Sequence, residues 1–231
     1  MAVNDNLLKI KERIRNACFK AGRDPGSVRI VTVSKGRSVG EIKEAIGAGL
    51  TDIGESRVQE AIAKFSEITN QRENEQRIKW HLVGHLQTNK VRDAVRIFDL
   101  IHSVDSLHLA QEIDRQAAKI GKVQEVLIEV KTSPEATKFG LNPQEVEGII
   151  KEITKFKNIK LKGLMTVAPV ADSPEKTRPY FRALREISER VNKLQVASDK
   201  LSILSMGMSD DEGAVEEGAT MVRIGRAIFE G

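Results

Sequence analysis

Cysteine, aromatic rings and long apolar runs are what this sequence has least of. A single cysteine, Cys18, excludes an intramolecular disulfide and any zinc cluster built on several thiolates. Aromatic residues make up 4% of the chain, so its core must be aliphatic. No apolar run approaches the roughly 18 residues that a membrane-spanning helix needs. The first residues, MAVNDNLLKIKER, lack the apolar stretch of a secretion signal. A large charge excess is missing too. Lys and Arg number 37 against 33 Asp and Glu, a net charge of +4, without the clustered basic runs of a nucleic-acid-coating protein. These absences lead us to expect a soluble, cytoplasmic protein that binds neither membrane nor nucleic acid. What is present suffices for a core: 231 residues, 40% of them apolar, with 17 glycines. That composition excludes a disordered chain.

The apolar residues alternate between two periods. Leu7, Ile10, Ile14 and Ala17 share one helical face. The β-branched run Ile30-Val31-Thr32-Val33 follows. Ser38 with Glu41 three residues later reads as a capping box, opening a helix with Ile42, Ala45 and Ile46 that Gly49 can end. The same order then repeats. Strands are expected at Asp52-Ile53, 80–83, 100–104, 126–130, 159–166, 201–204 and 221–224. Helices are expected between them, among them one opened by Asn142-Pro143 with Glu145 and a long one after Ser173-Pro174. About eight βα units after one leading helix, with no linker rich in Pro, Ser or Gly, predict a closed (β/α)8 TIM barrel with an extra N-terminal helix. A doubly wound open sheet is the alternative. Such a sheet usually carries a Gly-rich fingerprint after its first strand, whereas here Ser34-Lys35-Gly36-Arg37 follows. The expected organisation is a single domain over residues 1–231.

Barrel active sites form at the C-terminal ends of the strands, so the residues delivered there carry the functional reading. Strand 1 delivers Lys35, strand 2 Ser56, strand 3 His81, Gly84 and His85, and strand 6 Met165. Strand 7 delivers Ser205, Gly207 and Ser209, and strand 8 Arg223 and Gly225, with Arg226 next. Lys35 is either a strand-end lysine reaching to solvent or an amine in the barrel mouth able to attack a carbonyl. The turns Ser205-Met206-Gly207-Met208-Ser209 and Arg223-Ile224-Gly225-Arg226 are either ordinary tight turns or the two halves of a phosphate cradle. An amine and a phosphate cradle in one mouth suit pyridoxal phosphate, and equally a sugar phosphate on a Schiff-base aldolase. His81 and His85 lie in a strand-to-loop segment with no carboxylate pattern around them, so no metal site is expected. His102 and His108 read as structural or exposed.

Several segments together form a recognisable pattern: Val33-Ser34-Lys35, GESRVQE (54–60), WHLVGHLQTNK (80–90), HSVDS (102–106), Lys138-Phe139-Gly140, GLMTVAP (163–169), LSMGMSDD (204–211) and GATMVRIGRAIF (218–229). In them the chain resembles the pyridoxal phosphate homeostasis protein family, also described as alanine racemase N-terminal-domain-like. The resemblance covers almost the whole chain. It implies a mostly monomeric (β/α)8 barrel that holds pyridoxal 5′-phosphate as an internal aldimine on Lys35. It further implies a phosphate cradle of Ser205 and Ser209 with backbone around Gly207 and Gly225, and Arg223 beside the pyridine nitrogen. His81, Met165 and position 56 would wall the ring, and Lys138 would be a secondary lysine for cofactor handling. Three positions depart from the family's usual residues. Ser56 stands where Asn is usual, Arg226 where a small Ser or Thr is common, and Gly36-Arg37 replaces a more usual pair.

The resemblance implies a role in intracellular vitamin B6 homeostasis, with apo-enzymes that use pyridoxal phosphate as possible partners and no substantial turnover. A weakly active amino-acid racemase is the alternative. Racemisation needs a base on each face of the α-carbon. Lys35 can be one. In alanine racemases the other is a tyrosine from a second domain, which is not expected here, and the only tyrosine, Tyr180, falls in the helix after strand 6. A cation at Arg223 also disfavours protonation of the pyridine nitrogen.

Overall fold

The run Ile30-Val31-Thr32-Val33 does become a strand, and its alternation decides what faces the centre of the molecule. A computed structural model describes residues 2–69, 78–135, 138–171, 173–197, 199–208 and 211–230. Its elements are α1 (Ala2–Lys20), β1 (Arg29–Val33), α2 (Val39–Gly47), β2 (Asp52–Glu55), α3 (Val58–Thr69) and β3 (Lys79–Leu82). There follow α4 (Val91–Ile97), β4 (Leu100–Val104), α5 (Leu107–Lys119), β5 (Gln124–Glu129), α6 (Val146–Ile153) and β6 (Ile159–Met165). The chain closes with α7 (Pro174–Lys193), β7 (Ile203–Ser205), α8 (Asp211–Glu216), β8 (Met221–Ile224) and α9 (Arg226–Phe229).

The strands form a closed barrel in the order β1 to β8. Every neighbouring pair is parallel, and β8 pairs with β1 through Val31 and Arg223. The (β/α)8 expectation holds, with α1 as the extra N-terminal helix. Closure leaves no open edge, which is how a parallel sheet of short strands satisfies all of its backbone groups.

Two apolar layers follow from the pleat. One face of each strand packs on the helices, together with Leu7, Ile10, Ile14 and Ala17 of α1. The other face fills the lumen with Val31, Leu100, Leu127, Met165 and Met221, joined by Val83 just past β3. Because successive side chains alternate, residues two away from these also face the lumen. That parity puts Lys35, Asp52, His81, His102, Glu129, Ser205 and Arg223 on the inner face or at its rim. Among the described residues, no helix is long and apolar enough to cross a membrane.

Several strand boundaries shift by one or two residues, as where β2 runs on to Glu55 and β5 starts at Gln124, and two further shifts have a visible cause. Asn142, Pro143 and Glu145 form a turn rather than the first helical turn. The backbone and side-chain amides of Asn142 both donate to Glu145 Oε2 (3.1 and 2.9 Å), and α6 begins only at Val146. Strand 7 starts at Ile203 rather than Leu201, since the Leu201 amide donates to the Asn192 side chain at 2.8 Å instead of to a neighbouring strand.

Candidate functional site

Lys35 sits in a turn directly after β1. Gly36 follows with φ of +71°, a backbone angle that glycine adopts without steric cost, and the Arg37 amide closes the turn onto the Ser34 carbonyl at 3.0 Å. The turn is clamped from both sides. On one side Ser34 is buried, and its hydroxyl donates to Glu55 Oε1 at 2.6 Å. Lys64 of α3 reaches in to bond both Glu55 Oε1 (2.6 Å) and the Ser34 carbonyl (2.7 Å). On the other side Arg37 pairs with Glu41 and Glu230 and lies over the Phe229 ring, 5.1 Å from its centroid. The departure Gly36-Arg37 thus has a local role: it ties the turn to the end of the chain. Lys35 itself is exposed, with no hydrogen bond or ion pair to a described residue. Of the two sequence expectations, a lysine reaching solvent or an amine in the barrel mouth, the exposure of Lys35 at the strand end is compatible with both. The turn lifts Lys35 past the last strand residue, where the barrel is open.

Arg223, from the middle of β8, occupies the lumen and is 1% exposed. Its Nη1 donates to Ser205 Oγ at 2.6 Å and its Nη2 to the Thr166 carbonyl at 2.9 Å. Its Nε is buried and has no hydrogen-bond partner among the described residues. Burial pushes the guanidinium down to about 10, opposed by the charge of Glu129. Ser205 is fully buried, and its hydroxyl also contacts His102 Nδ1 at 3.0 Å. That hydroxyl therefore links the guanidinium to His102.

His81 is likewise not a free wall residue. It lies two residues below Val83 on its strand, and both ring nitrogens are engaged, Nε2 with Asp52 (2.9 Å) and Nδ1 with His102 Nε2 (3.0 Å). His102, read from sequence as structural or exposed, is wholly buried between His81 and Ser205. Burial, with the charge of Arg223 adding to it, holds its pKa well below the ordinary imidazole value.

Glu129, at the end of β5, is the third inward polar residue that the sequence reading missed. Burial first, and the charge of Asp105 second, push its carboxyl up to about 7, with Arg223 opposing. The signal for Asp52, His102 and Glu129 was present in the sequence. Each stands two residues from a lumen position: Asp52 from Gly54, His102 from Leu100, Glu129 from Leu127.

The remaining expected residues ring the mouth unevenly. A cavity of about 400 Å³ is lined by Val167, Gly207, Met208 and Arg223 among others, and the Arg223 amide donates to the Gly207 carbonyl at 3.1 Å. Met165 is buried in the lumen, and Ser56 and Gly225 are half-buried. Ser56 and Gly84 touch so closely that a Cβ on Gly84 would lie 2.3 Å from the Ser56 carbonyl oxygen. Lys138 donates to the Val167 carbonyl at 3.2 Å and pairs with Glu135 at 2.6 Å, so it reaches the mouth from the segment after β5. Next to it Phe139 stacks on His85 with 3.7 Å between ring centroids. Arg226 is exposed, and its carbonyl accepts from the Glu230 amide at 2.8 Å. Ser209 lies outside the described residues.

Comparison with known proteins adds the following. The family model described as "Alanine racemase, N-terminal domain" matches residues 6–231. A curated protein from Aquifex aeolicus, named "Pyridoxal phosphate homeostasis protein", is 40% identical over 226 residues, covering 97% of this chain and 96% of that one. A solved structure of PipY from Synechococcus elongatus with PLP bound superposes with a TM-score of 0.84 at 35% identity, over 98% of this chain and 99% of that one. An alanine racemase from Clostridium difficile shares the fold, with a TM-score of 0.75 at 20% identity over 98% of this chain and 58% of that one.

Proposed function

We propose that this chain, which belongs to the alanine racemase N-terminal-domain family and within it to the pyridoxal phosphate homeostasis proteins, binds pyridoxal 5′-phosphate at the mouth of its barrel and serves the cell's supply of that cofactor rather than turning over a substrate. Residues 1–231 act in this reading as one cofactor-binding unit. When bound, the cofactor supplies an aldehyde carbon for an amine and a ring that withdraws electrons most strongly when its nitrogen is protonated.

The observation that carries the reading is the unpartnered Nε of Arg223. A buried N–H left without an acceptor costs about 1–3 kcal/mol, so the site calls for an acceptor brought by a ligand. An unprotonated pyridine nitrogen is such an acceptor, and a protonated one is not. The same contact therefore supports binding and argues against carbanion chemistry. Lys35 is the amine that would hold the aldehyde carbon, and its clamped turn keeps the amine at the rim. Gly207 and Gly225 would offer backbone to the phosphate, with the expected help of Ser209 and Arg226. Met165 and Ser56 would flank the ring, and Lys138, whose amine reaches the Val167 carbonyl at 3.2 Å, would take part in loading or release. Tyr180 lies on α7 beside Pro169, Val170 and Lys176 on the outside of the barrel, which leaves no tyrosine as a second base in the lumen.

Two outcomes test the proposal. Lys35→Ala folds with an unchanged circular dichroism spectrum but loses the visible band that the parent develops on titration with pyridoxal phosphate. Incubation of the loaded parent with L-alanine and other L-amino acids, followed by chiral chromatography, yields no D-enantiomer at ordinary enzyme rates. Racemisation at tens of turnovers per second, a typical enzymatic rate, would refute the supply role.

A further inference from the structure

Two buried histidines stand in the lumen with all four ring nitrogens spoken for. The contacts form one line: Asp52 Oδ1 to His81 Nε2 (2.9 Å), His81 Nδ1 to His102 Nε2 (3.0 Å), His102 Nδ1 to Ser205 Oγ (3.0 Å), and Ser205 Oγ to Arg223 Nη1 (2.6 Å). It runs from the first residue of β2, at the N-terminal end of the barrel, across the lumen to the guanidinium that lines the mouth. At its far end Asp52 borders a cavity of about 770 Å³ between α1 and the starts of β1 and β2, with Arg29 3.6 Å from its carboxylate.

The chemistry of the two ends fixes the protons between them. An arginine only donates, so Ser205 Oγ accepts from Nη1, and the hydroxyl proton is left for His102 Nδ1. A carboxylate only accepts, so His81 Nε2 carries a proton. A neutral His81 then accepts at Nδ1, which makes His102 a donor from Nε2 and an acceptor at Nδ1. Reasoning from either end gives the same result: both imidazoles neutral, both protonated on Nε2, every donor pointing from Arg223 toward Asp52. The reverse order would place an imidazolium at His81 and leave the Ser205 hydroxyl proton without an acceptor in a lumen where burial penalises both. The charged and titratable neighbours fit this order. Asp52 faces His81, Arg29 and Lys79; His102 faces His81 and Arg223; Arg223 faces Glu129. Burial works against the Asp52 carboxylate, but the hydrogen bond from His81 and the nearby positive charges hold its pKa below the usual range.

We propose that Asp52 is a positioning residue for Arg223: its carboxylate sets the tautomers of His81 and His102 and, through Ser205, fixes the guanidinium so that its Nε–H stays aimed at a ligand in the mouth. The last link rests on the cofactor reading above, whereas the tautomers stand without it.

Two-bond 15N–1H correlation on the full, cofactor-free chain at pH 7 tests this directly. The sequence has four histidines, and His85→Gln and His108→Gln assign the two outside the line. The two remaining rings are expected to be protonated on Nε2 alone. A proton on Nδ1 of either ring overturns the proposal. In Asp52→Asn, which keeps the shape but removes the charge, at least one buried ring is expected to change tautomer or protonation. Pyridoxal phosphate affinity is expected to fall about tenfold, the effect of one charged hydrogen bond. Unchanged tautomers or unchanged affinity overturns it. If Asp52→Asn does not fold, Ser205→Ala takes its place, with the same loss of affinity expected while His81 keeps its Nε2 proton, and an undiminished affinity again counting against the proposal. Should the parent protein bind no pyridoxal phosphate, the cofactor reading alone fails, and the tautomers in Asp52→Asn still decide whether Asp52 directs the line.

Discussion

At the scale of single residues, position along a strand decides more than residue type. Lys35, Ser205 and Arg223 were legible because they end or sit in strands whose C-terminal ends form a barrel mouth. Their contacts were not. Ser205 bonds both Arg223 and His102 because the closed lumen brings β4, β7 and β8 face to face, and His81 is bound on both nitrogens by residues of the flanking strands β2 and β4. Glu129 gives a prediction at this scale. Its carboxyl is raised from 4.5 to about 7, so the folded protein holds a proton there that the unfolded chain releases. Below about pH 4 both states are protonated and the residue is neutral for stability. Between 4.5 and about 7 the unfolded state gains by ionising, and stability is lost as pH rises. Glu129→Gln removes that loss. Urea unfolding of parent and variant should coincide near pH 4 and diverge above pH 7, the variant being more stable by on the order of 2–3 kcal/mol. A gap of the opposite sign at pH 8 would show that Glu129 is needed there as an anion.

At the scale of elements, β4 and β8 begin and end where the sequence places them, since each is a short apolar run with a clear break on either side. Strand 7 and the start of α6 shifted because side chains, Asn192 and Glu145, took backbone partners that a pattern of apolar residues does not reveal. The tie between α3 and β2 is of the same kind. The sequence places Glu55 at the C-terminal end of strand 2 but does not pair it with Lys64; their side chains, Lys64 11% and Glu55 0% exposed, lie 2.6 Å apart and hold the turn that carries Lys35. Glu55 Oε2 already lacks a partner among the described residues, so Lys64→Met would strand a buried carboxylate. A loss of about 3 kcal/mol in denaturant unfolding at neutral pH is expected. A loss below about 0.5 kcal/mol, the range of an ordinary surface substitution, would mean that the turn is held by Arg37 and the β1 ladder alone.

At the scale of the whole molecule, the count of alternating strands and helices was enough for the closed barrel, because parallel strands joined by helices have few ways to bury both faces. The polar line through the lumen was beyond reach, since its members come from β2, β3, β4, β7 and β8 and meet only on closure. That line gives the barrel two unlike ends: an amine-bearing rim above Arg223, and a carboxylate beside Arg29 at the base. The central claim is that the rim amine of Lys35 and the lumen guanidinium of Arg223 together make a pyridoxal phosphate site. The most direct test is to reduce the protein with borohydride after adding pyridoxal phosphate and to map the modified peptide by mass spectrometry. The account predicts one stoichiometric adduct, on Lys35. An adduct confined to Lys138, or none at all, would contradict it.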